Sequence, residues 1–308
     1  SIKLGQKDPE YAQKALGNAF FLLIVTSILY SILLQLFLTP LLSSLGASDA
    51  TLPYAREYMR VILFGSVFQI TGMGINNLMR ADGSPRLAMM TMFLGAGVNI
   101  VLDPIFIFGF KMGMAGASLA TVISQCLSFI WVIVYFTGSK SKIKLKLKHM
   151  LPDGKTTMRI FSLGMPGFLL QLAGSVLNSA LNRNMLLYGG DIAVSGMGII
   201  NSLLMILFMP IIGLNQGIQP IISFNYGAKK YDRVRHITTL AIVIATAISV
   251  FGFLMTRLIP GPMIAMFNRE PALTAFTSEA LKTWLLMMPL IGFQIIAANY
   301  FQAIGKPK

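Results

Sequence analysis

Long apolar runs separated by short polar stretches dominate the chain. Apolar runs of about 20 residues are long enough to cross a bilayer as helices. Eight such runs lie at about 16–39, 54–79, 87–110, 114–137, 159–188, 194–222, 236–258 and 280–304. None has the polar–apolar alternation of a β-barrel strand, and a backbone in lipid must satisfy its own hydrogen bonds. The pattern therefore predicts an all-α, polytopic membrane protein with eight helices.

Lys and Arg are concentrated in every second loop. Of the 25 basic residues, 18 fall within 1–14, 80–86, 138–159, 227–237 and 305–308. Basic loops stay in the cytoplasm, so these ranges are predicted to be cytoplasmic. The net charge of +14 therefore reflects loop placement and does not indicate a nucleic-acid partner. The longest loop is predicted to be a linker, and its alternation of Lys with Ile and Leu leaves a strand or a contact with anionic lipid as alternatives.

Composition excludes a soluble domain and gives no sign of an enzyme. Hydrophobic residues make up 55% of the chain and charged residues 12%, against about 25% charged in ordinary domains. Both histidines, His149 and His236, fall in basic loops, and Cys126 is the only cysteine. The sequence has no phosphate-binding loop, no paired-histidine metal motif and no dinucleotide fingerprint. No catalytic activity and no cofactor are predicted.

The two ends of the chain resemble each other at a constant offset of 222 residues, the distance from Ser1 to Ser223. SIKLGQKD at the start aligns with SFNYGAKK, RADGSPR at 80–86 aligns with QAIGKPK at 302–308, and Asn77 aligns with Asn299. A constant offset indicates an internal duplication. An even number of spans per copy gives parallel copies, which are related by an axis along the membrane normal.

The repeat length predicts how the chain is divided. Residues 1–137 are predicted to form an N-terminal bundle with spans three to six of the first copy. Residues 138–158 are predicted to be the basic linker, and residues 159–308 a C-terminal bundle with spans one to four of the second copy. A complete protein would have two pseudo-twofold-related bundles of six helices each. On this view the chain is a fragment that lacks the first two and last two helices.

Asp103 is the strongest functional candidate, since a carboxylate within a span is costly. Asn99 lies four residues earlier and so on the same helix face, where the two side chains can hold a proton or a sodium ion. The alternative is that Asp103 only caps the helix end before Pro104. Asn76 and Thr121 are further candidates, although a threonine hydroxyl often bonds to its own helix.

A second polar group follows one face of the fifth span. Gln171, Ser175, Asn178 and Asn182 are spaced by four, three and four residues. This face is predicted to point into the protein, where it either lines a substrate path or bonds to neighbouring helices. The sixth span carries Asn215 and Gln216 among Gly213, Gly217 and Pro220, a composition that predicts an interrupted helix.

Four stretches together resemble the multidrug and toxic compound extrusion (MATE) transporters. They are RADGSPR, NIVLDPIFIFG (99–109), GMAGASLATVISQ (113–125) and GLNQGIQPIISFNYGAK (213–229), and the resemblance covers all 308 residues. It implies two six-helix bundles around a V-shaped cleft in a bacterial cytoplasmic membrane. It also implies a protein that exports organic cations and other drugs in exchange for H⁺ or Na⁺.

The resemblance also implies the residues that would carry this transport. The family's cation site corresponds to Asn76, Asn99, Asp103 and Thr121, with Na⁺ at Asp103 as the only implied metal ion. The family's first-helix aspartate has no counterpart in this chain, which leaves the coupling ion open.

The expected partners are small-molecule drugs or organic cations and membrane lipids, and the expected state is a monomer. The substrate cleft is expected to use Gln171, Asn178, Asn182, Asn215 and Gln216. A flippase for lipid-linked oligosaccharides is the alternative. It needs a cationic cleft, and Arg183 is the only clear cation within the spans.

Overall fold

The computed structural model describes residues 1–44 and 51–305, and every regular element within these residues is helical. The helices are α1 (Ile2–Gly5), α2 (Pro9–Leu36), α3 (Leu38–Ser44), α4 (Leu52–Ala81), α5 (Pro85–Pro104) with a π-helical turn (Ile105–Gly109), α6 (Gly113–Thr137), α7 (Gly154–Met185), α8 (Ile192–Gly227), α9 (Tyr231–Leu258), α10 (Pro260–Ala265), α11 (Pro271–Trp284) and α12 (Met288–Ala303). A single 3₁₀ turn (Leu147–His149) lies between α6 and α7.

The predicted membrane-spanning architecture is confirmed. Among the described residues seven helices are long and apolar enough to cross a membrane, and the count is eight if α11 and α12 form one bent span. These two helices meet at an angle of 51°, so the predicted run 280–304 joins the end of α11 to α12. Helices α7 and α8 are nearly continuous and are separated by Gly190, whose φ of 63° takes the chain out of the helix.

The predicted interruption of the sixth span is wrong. Helix α8 continues through Gly213, Gly217 and Pro220 and ends at Gly227. A proline inside a helix removes one backbone hydrogen bond and bends the axis. Neighbouring groups in a membrane protein can satisfy the freed carbonyl, so a proline with flanking glycines does not by itself end a span.

The chain forms two compact units. The first comprises residues 7–160 with Ser1 and Lys3, and the second comprises Ile2, Leu4–Gln6 and the chain from Phe161 onward. In the first unit Gly65 of α4 lies against the Val122 side chain of α6. The Ser31 hydroxyl of α2 donates to the Leu63 carbonyl at 2.7 Å. Small residues and interhelical hydrogen bonds of this kind hold membrane helices together, because lipid supplies no hydrophobic driving force.

The second unit is built around a buried apolar cluster. Ile200 of α8, Ile264 of α10, Leu281 of α11 and Met288 of α12 are all at most 1% exposed. Gly292 of α12 lies so close to α9 that a Cβ atom would meet the backbone of Ala245. This close approach sets the distance between α9 and α12.

The predicted repeat is visible in the helix boundaries. Helix α2 and helix α9 begin and end at positions that differ by 222 (9 to 231 and 36 to 258). Helices α4 and α12 also end at positions that differ by 222, Ala81 and Ala303. Among the described residues, seven pairs of backbone hydrogen bonds at helix ends and turns repeat at the same offset. One pair is Asp8 N–H to Lys3 O with Lys230 N–H to Asn225 O, and another is Phe37 N–H to Leu33 O with Ile259 N–H to Met255 O.

Two glycines at the same offset make a reciprocal contact in the second unit. A Cβ atom at Gly5 would overlap the carbonyl oxygen of Phe224, and one at Gly227 would overlap the carbonyl oxygen of Ile2. Ile2 and Phe224 are themselves 222 residues apart. Since any side chain at either glycine would collide with backbone, α1 and the end of α8 depend on glycine at both positions.

Candidate functional site

The end of α5 gives Asp103 an unusual local backbone. Pro104 directly follows Asp103, and the next five residues form a π-helical turn in which Phe110 N–H bonds to Ile105 O at 2.9 Å. Such turns are rare and are often found at functional sites. Gly116 of α6 lies against the Phe106 backbone, where a Cβ atom on the glycine would stand only 3.0 Å from the carbonyl oxygen. The glycine therefore allows the start of α6 to approach the π turn after Asp103.

Three of the four predicted ion-site residues meet between α5 and α6. Asn99 Nδ2 donates to Asp103 Oδ1 at 3.3 Å and to Thr121 Oγ1 at 3.4 Å. The Thr121 hydroxyl donates to its own helix, at the Ala117 carbonyl 3.0 Å away. All three side chains are half-buried. One amide therefore connects a carboxylate and a hydroxyl on two neighbouring spans.

This group offers oxygen atoms suited to a small hard cation. The Asp103 carboxylate and Thr121 Oγ1 are acceptors, and Asn99 can present either Nδ2 or Oδ1 after rotation of its amide. Asp103 lies six residues before the π turn ends at Gly109, or about 9 Å along the helix axis. A carboxyl group at that depth within a membrane-spanning helix is a candidate for a functional role.

Asn76 does not join this group. Its Nδ2 donates to the Ala88 carbonyl at 2.9 Å, and its Oδ1 accepts from Arg80 at 3.1 Å. Ala88 precedes Asn99 by 11 residues on α5, which is roughly 16 Å along the helix. The structure therefore places Asn76 at the opposite end of α5, where it ties α4 to the first turn of that helix.

The polar residues of the fifth span are exposed. Gln171, Asn178 and Asn182 lie on the outside of α7, and the Asn178 amide donates to its own helix at the Gly174 carbonyl. The same helix carries an open depression of about 440 Å³, which is lined by Ser175, Val176, Ser179, Ala180 and Arg183 and by none of these three residues. The predicted inward-facing stripe therefore lies on an exposed helix face in the described residues.

The two candidates on α8 differ from each other. Asn215 is half-buried, and its Oδ1 atom is fully buried without a hydrogen-bond partner. Gln216 is exposed. A buried acceptor without a partner costs free energy, so Asn215 is the position on α8 best suited to receive a hydrogen bond from a ligand.

A buried aspartate that the sequence did not single out holds the linker. Asp82 is 2% exposed. Its Oδ2 accepts from the Tyr135 hydroxyl at 2.7 Å, the Ser141 hydroxyl at 2.8 Å and the Lys142 backbone N–H at 3.0 Å. Asp82 lies within RADGSPR, but its partners on α6 and the linker are more than 50 residues away. Sequence spacing therefore gave no signal of this cluster.

A second buried polar residue holds the other end of the linker. Asn18 of α2 is fully buried, and its Nδ2 donates to the carbonyls of His149 at 3.0 Å and Leu151 at 3.3 Å. Its Oδ1 accepts from the Asp153 N–H at 2.8 Å. Lys14 reaches Asp153 Oδ1 at 3.0 Å. A polar asparagine at the start of a predicted span was the only sequence signal for this contact.

Hydrogen bonds from Thr156 favour the charged form of the Asp153 side chain, which directly precedes α7. The Thr156 hydroxyl donates to its carboxylate at 2.7 Å and the Thr156 backbone at 3.0 Å. The Thr156 hydroxyl first, and then Lys14, lower the pKa of Asp153 from 3.8 to about 2. Within residues 1–44 and 51–305, no group of three or more His, Cys, Asp or Glu side chains could hold a metal ion.

Known proteins resemble this chain in both structure and sequence. The structure of the MATE multidrug transporter DinF-BH superposes with a TM-score of 0.90 at 34% identity, over 99% of this chain and 69% of that one. This similarity and the apolar spans define a multi-pass transporter of the bacterial cytoplasmic membrane, not an enzyme. A family model described as MatE matches residues 1–105 and 176–308. The chain belongs to the MatE family.

Relatives of known sequence include multidrug export proteins. MepA of Staphylococcus haemolyticus (strain JCSC1435) is 28% identical over 305 residues, which are 98% of this chain and 67% of that protein. MepA of Staphylococcus aureus (strain N315) is 29% identical over 262 residues, which are 85% of this chain and 58% of that protein. The chain thus spans between about half and two thirds of the length of these relatives.

Proposed function

We propose that the protein exports organic cations and other drugs across the membrane in exchange for H⁺ or Na⁺ by alternating access. The observation that carries this proposal is the contact of Asn99 with both Asp103 and Thr121 on two membrane-spanning helices. The names of its relatives, multidrug export proteins and a multidrug transporter, support the substrate class.

The proposed coupling step is a change in the Asn99 amide. Without the ion, its nitrogen bonds to Asp103 and Thr121 and links α5 to α6. A sodium ion needs oxygen ligands, and a protonated Asp103 needs an acceptor. Either event favours rotation of the amide so that Oδ1 faces Asp103. The rotation removes the amide hydrogen bond to Thr121. A sodium ion would replace this bond by joining oxygen atoms of both helices, whereas protonation of Asp103 would leave it broken, so the contact between the two helices beside the π turn differs between the ion-bound and ion-free states.

This change is the step that would drive drug release. In transporters of this kind, two bundles move around a binding site near the membrane midplane. In our proposal the drug binds to Gln171, Asn178, Asn182, Asn215 and Gln216, with apolar contacts from methionine and phenylalanine side chains. Exposed polar side chains on the membrane-spanning helix α7 support this role, because such groups avoid lipid. Asn76 bonds to Ala88, which lies roughly 16 Å from Asn99 along α5, so in our proposal Asn76 positions α4 and α5 and does not bind the ion.

The test is transport of a fluorescent organic cation in proteoliposomes under a sodium or a proton gradient. Asp103→Asn keeps the shape of the side chain and removes its charge, and we expect gradient-driven transport to fall at least about tenfold, in line with the loss of one charge-assisted contact. Asp232→Asn in the exposed first turn of α9 is the matched control and should transport normally. Normal transport by Asp103→Asn would refute the coupling role.

The same assay distinguishes a lipid flippase. A flippase should leave the organic cation unmoved in the unmodified protein and should translocate a lipid-linked sugar, with Arg183 binding its pyrophosphate. Arg183 borders the depression on α7, which is the one feature that favours this second function. Cation transport by the unmodified protein, with loss in Asp103→Asn, excludes it.

A further inference from the structure

The linker between α6 and α7 presents a row of lysines from a fixed backbone. Lys140, Lys142, Lys144, Lys146 and Lys148 alternate along residues 140–148, and all five are exposed. Two of the residues between them are buried, with Ser141 7% and Ile143 5% exposed. Residues 138–152 contain no acidic residue. Exposed lysines therefore alternate with two buried side chains at the start of the linker, although the linker forms no strand.

Both ends of this linker are held by buried groups of the first unit. Asp82 accepts hydrogen bonds from Ser141 and Lys142 at one end, and Asn18 donates to His149 and Leu151 at the other. Between them, Leu145 N–H bonds to the Phe136 carbonyl of α6 at 3.1 Å. A solvated charge run needs no such attachments. The attachments fix the backbone from which the exposed lysine side chains extend.

The position of this row relative to the membrane indicates its partner. Helix α6 ends at Thr137 and α7 begins at Gly154, so both ends of the linker meet membrane-spanning helices. Lys140 is only three residues beyond α6. Clusters of four to eight basic residues directly beside a span attract anionic headgroups, which lie within a Debye length of the surface.

We propose that the linker lysines form a binding site for anionic phospholipids of the membrane leaflet at which α6 ends. The ligand is the headgroup phosphate, which the ammonium groups meet as a row of point charges. The backbone is already fixed by Asp82 and Asn18, so lipid binding orders only lysine side chains. This lowers the entropic cost of binding relative to a flexible basic loop.

The test is the lipid retained by the purified protein from bilayers of equal phosphatidylglycerol and phosphatidylcholine, counted by native mass spectrometry. The linker variant replaces four lysines by glutamine at Lys142, Lys144, Lys146 and Lys148. The matched control removes the same charge at the start of α9, through glutamine at Lys229, Lys230, Arg233 and Arg235, which are all exposed. Arginine at the four linker positions serves as the conservative rescue.

We expect the unmodified protein to retain phosphatidylglycerol preferentially, and this preference to weaken at high salt. The linker variant should lose at least about tenfold of the preference, while the control and the arginine variant keep it. Equal loss in the linker variant and the control would show that net charge alone attracts the lipid and would overturn the proposal. Full retention in the linker variant would overturn it as well.

Discussion

At the scale of single residues, the Asn99 amide is the part of the candidate site with the most specific requirements. Its nitrogen reaches Asp103 and Thr121 at 3.3 and 3.4 Å, and no shorter side chain could span both. In our proposal the Asn99 oxygen faces Asp103 when the ion is bound, and the Asn99 nitrogen donates to Asp103 and Thr121 when no ion is bound. An aspartate at this position would supply only acceptors and would repel Asp103.

Replacing Asn99 by alanine should weaken ion coupling more than drug binding. The change removes both hydrogen bonds of the amide and one oxygen ligand, which we expect to lower the apparent affinity for the coupling ion about tenfold. Transport rates measured over a series of sodium concentrations and pH values give this affinity. The drug concentration for half-maximal transport should stay within about twofold. A change in drug affinity alone would contradict the role we assign to Asn99.

The sequence could identify part of this site for a clear physical reason. Asn99 and Asp103 are four residues apart, and the helix period alone places them on one face. Thr121 was a further candidate because it is a polar residue within a span, but its grouping with Asn99 rested on the resemblance to a known family, because their contact depends on how α5 packs on α6. Asn76 was grouped with them by resemblance, but its contacts lie at the other end of α5. Asp82 escaped notice because its three partners come from distant parts of the chain.

At the scale of helices, hydrophobicity located the spans well and predicted their ends less well. Lipid demands about 20 apolar residues, which any long run reveals. Helix α8 extends to Gly227 through Pro220 because a proline costs one hydrogen bond and not a whole turn. The start of α11 at Pro271 was missed because its residues are more polar than those of a typical span. The contacts of the linker were not predictable, because they arise only after folding.

Replacing Asp82 by alanine should release the linker. Its Oδ2 accepts three hydrogen bonds in a buried place, and their loss should destabilise the attached linker by about 3 kcal/mol. Trypsin cleaves after lysine, so cleavage at residues 140–148 should become at least about tenfold faster. The exposed Asp232→Ala serves as the control. Unchanged cleavage in Asp82→Ala would mean that Ile143 and Asn18 hold the linker without it.

The junction between α2 and α7 should depend on acid pH through Asp153. Its pKa is lowered to about 2 by Thr156 and Lys14, so the charged form is favoured by folding. The resulting stabilisation is fully present above pH 4 and is lost as the pH falls toward 2. Thermal unfolding of the unmodified protein and of Asp153→Asn, measured between pH 6 and pH 2, should differ at the upper end and converge at the lower. A constant difference across this range would contradict the assignment.

At the scale of the molecule, the duplication was the feature most open to sequence analysis. A constant offset can be found by aligning the sequence with itself. The helix ends and the backbone hydrogen bonds of the structure show the same offset. The reciprocal contact of Gly5 and Gly227 was not evident, although both glycines appear in the aligned segments. The role of these two glycines depends on which backbone segments approach each other in the folded chain. The sequence alone does not distinguish a glycine that permits such a close approach from a glycine that forms a turn.

The reciprocal contact predicts equal and coupled effects of two substitutions. Gly5→Ala and Gly227→Ala each place a methyl group against a backbone carbonyl, of Phe224 or of Ile2. Each substitution should destabilise the protein by about 1–3 kcal/mol. The double variant should be destabilised by less than the sum of the two, because the backbone shift that accommodates one methyl group also makes room for the other. Gly217→Ala on α8, where a Cβ atom has no neighbour within 4 Å, is the control in thermal unfolding. Strict additivity would contradict a shared contact.

The left-handed lysines that precede α2 and α9 have a consequence for how the chain can be studied. Lys7 and Lys229 have φ angles of 58° and 59°, a conformation that costs a residue with a side chain roughly 1 kcal/mol. Both copies of the repeat therefore contain the same unfavourable backbone conformation, and the neighbouring residues differ between the two positions. When the lysine at one of these positions is substituted, the unchanged lysine at the other position serves as an internal reference within the same molecule.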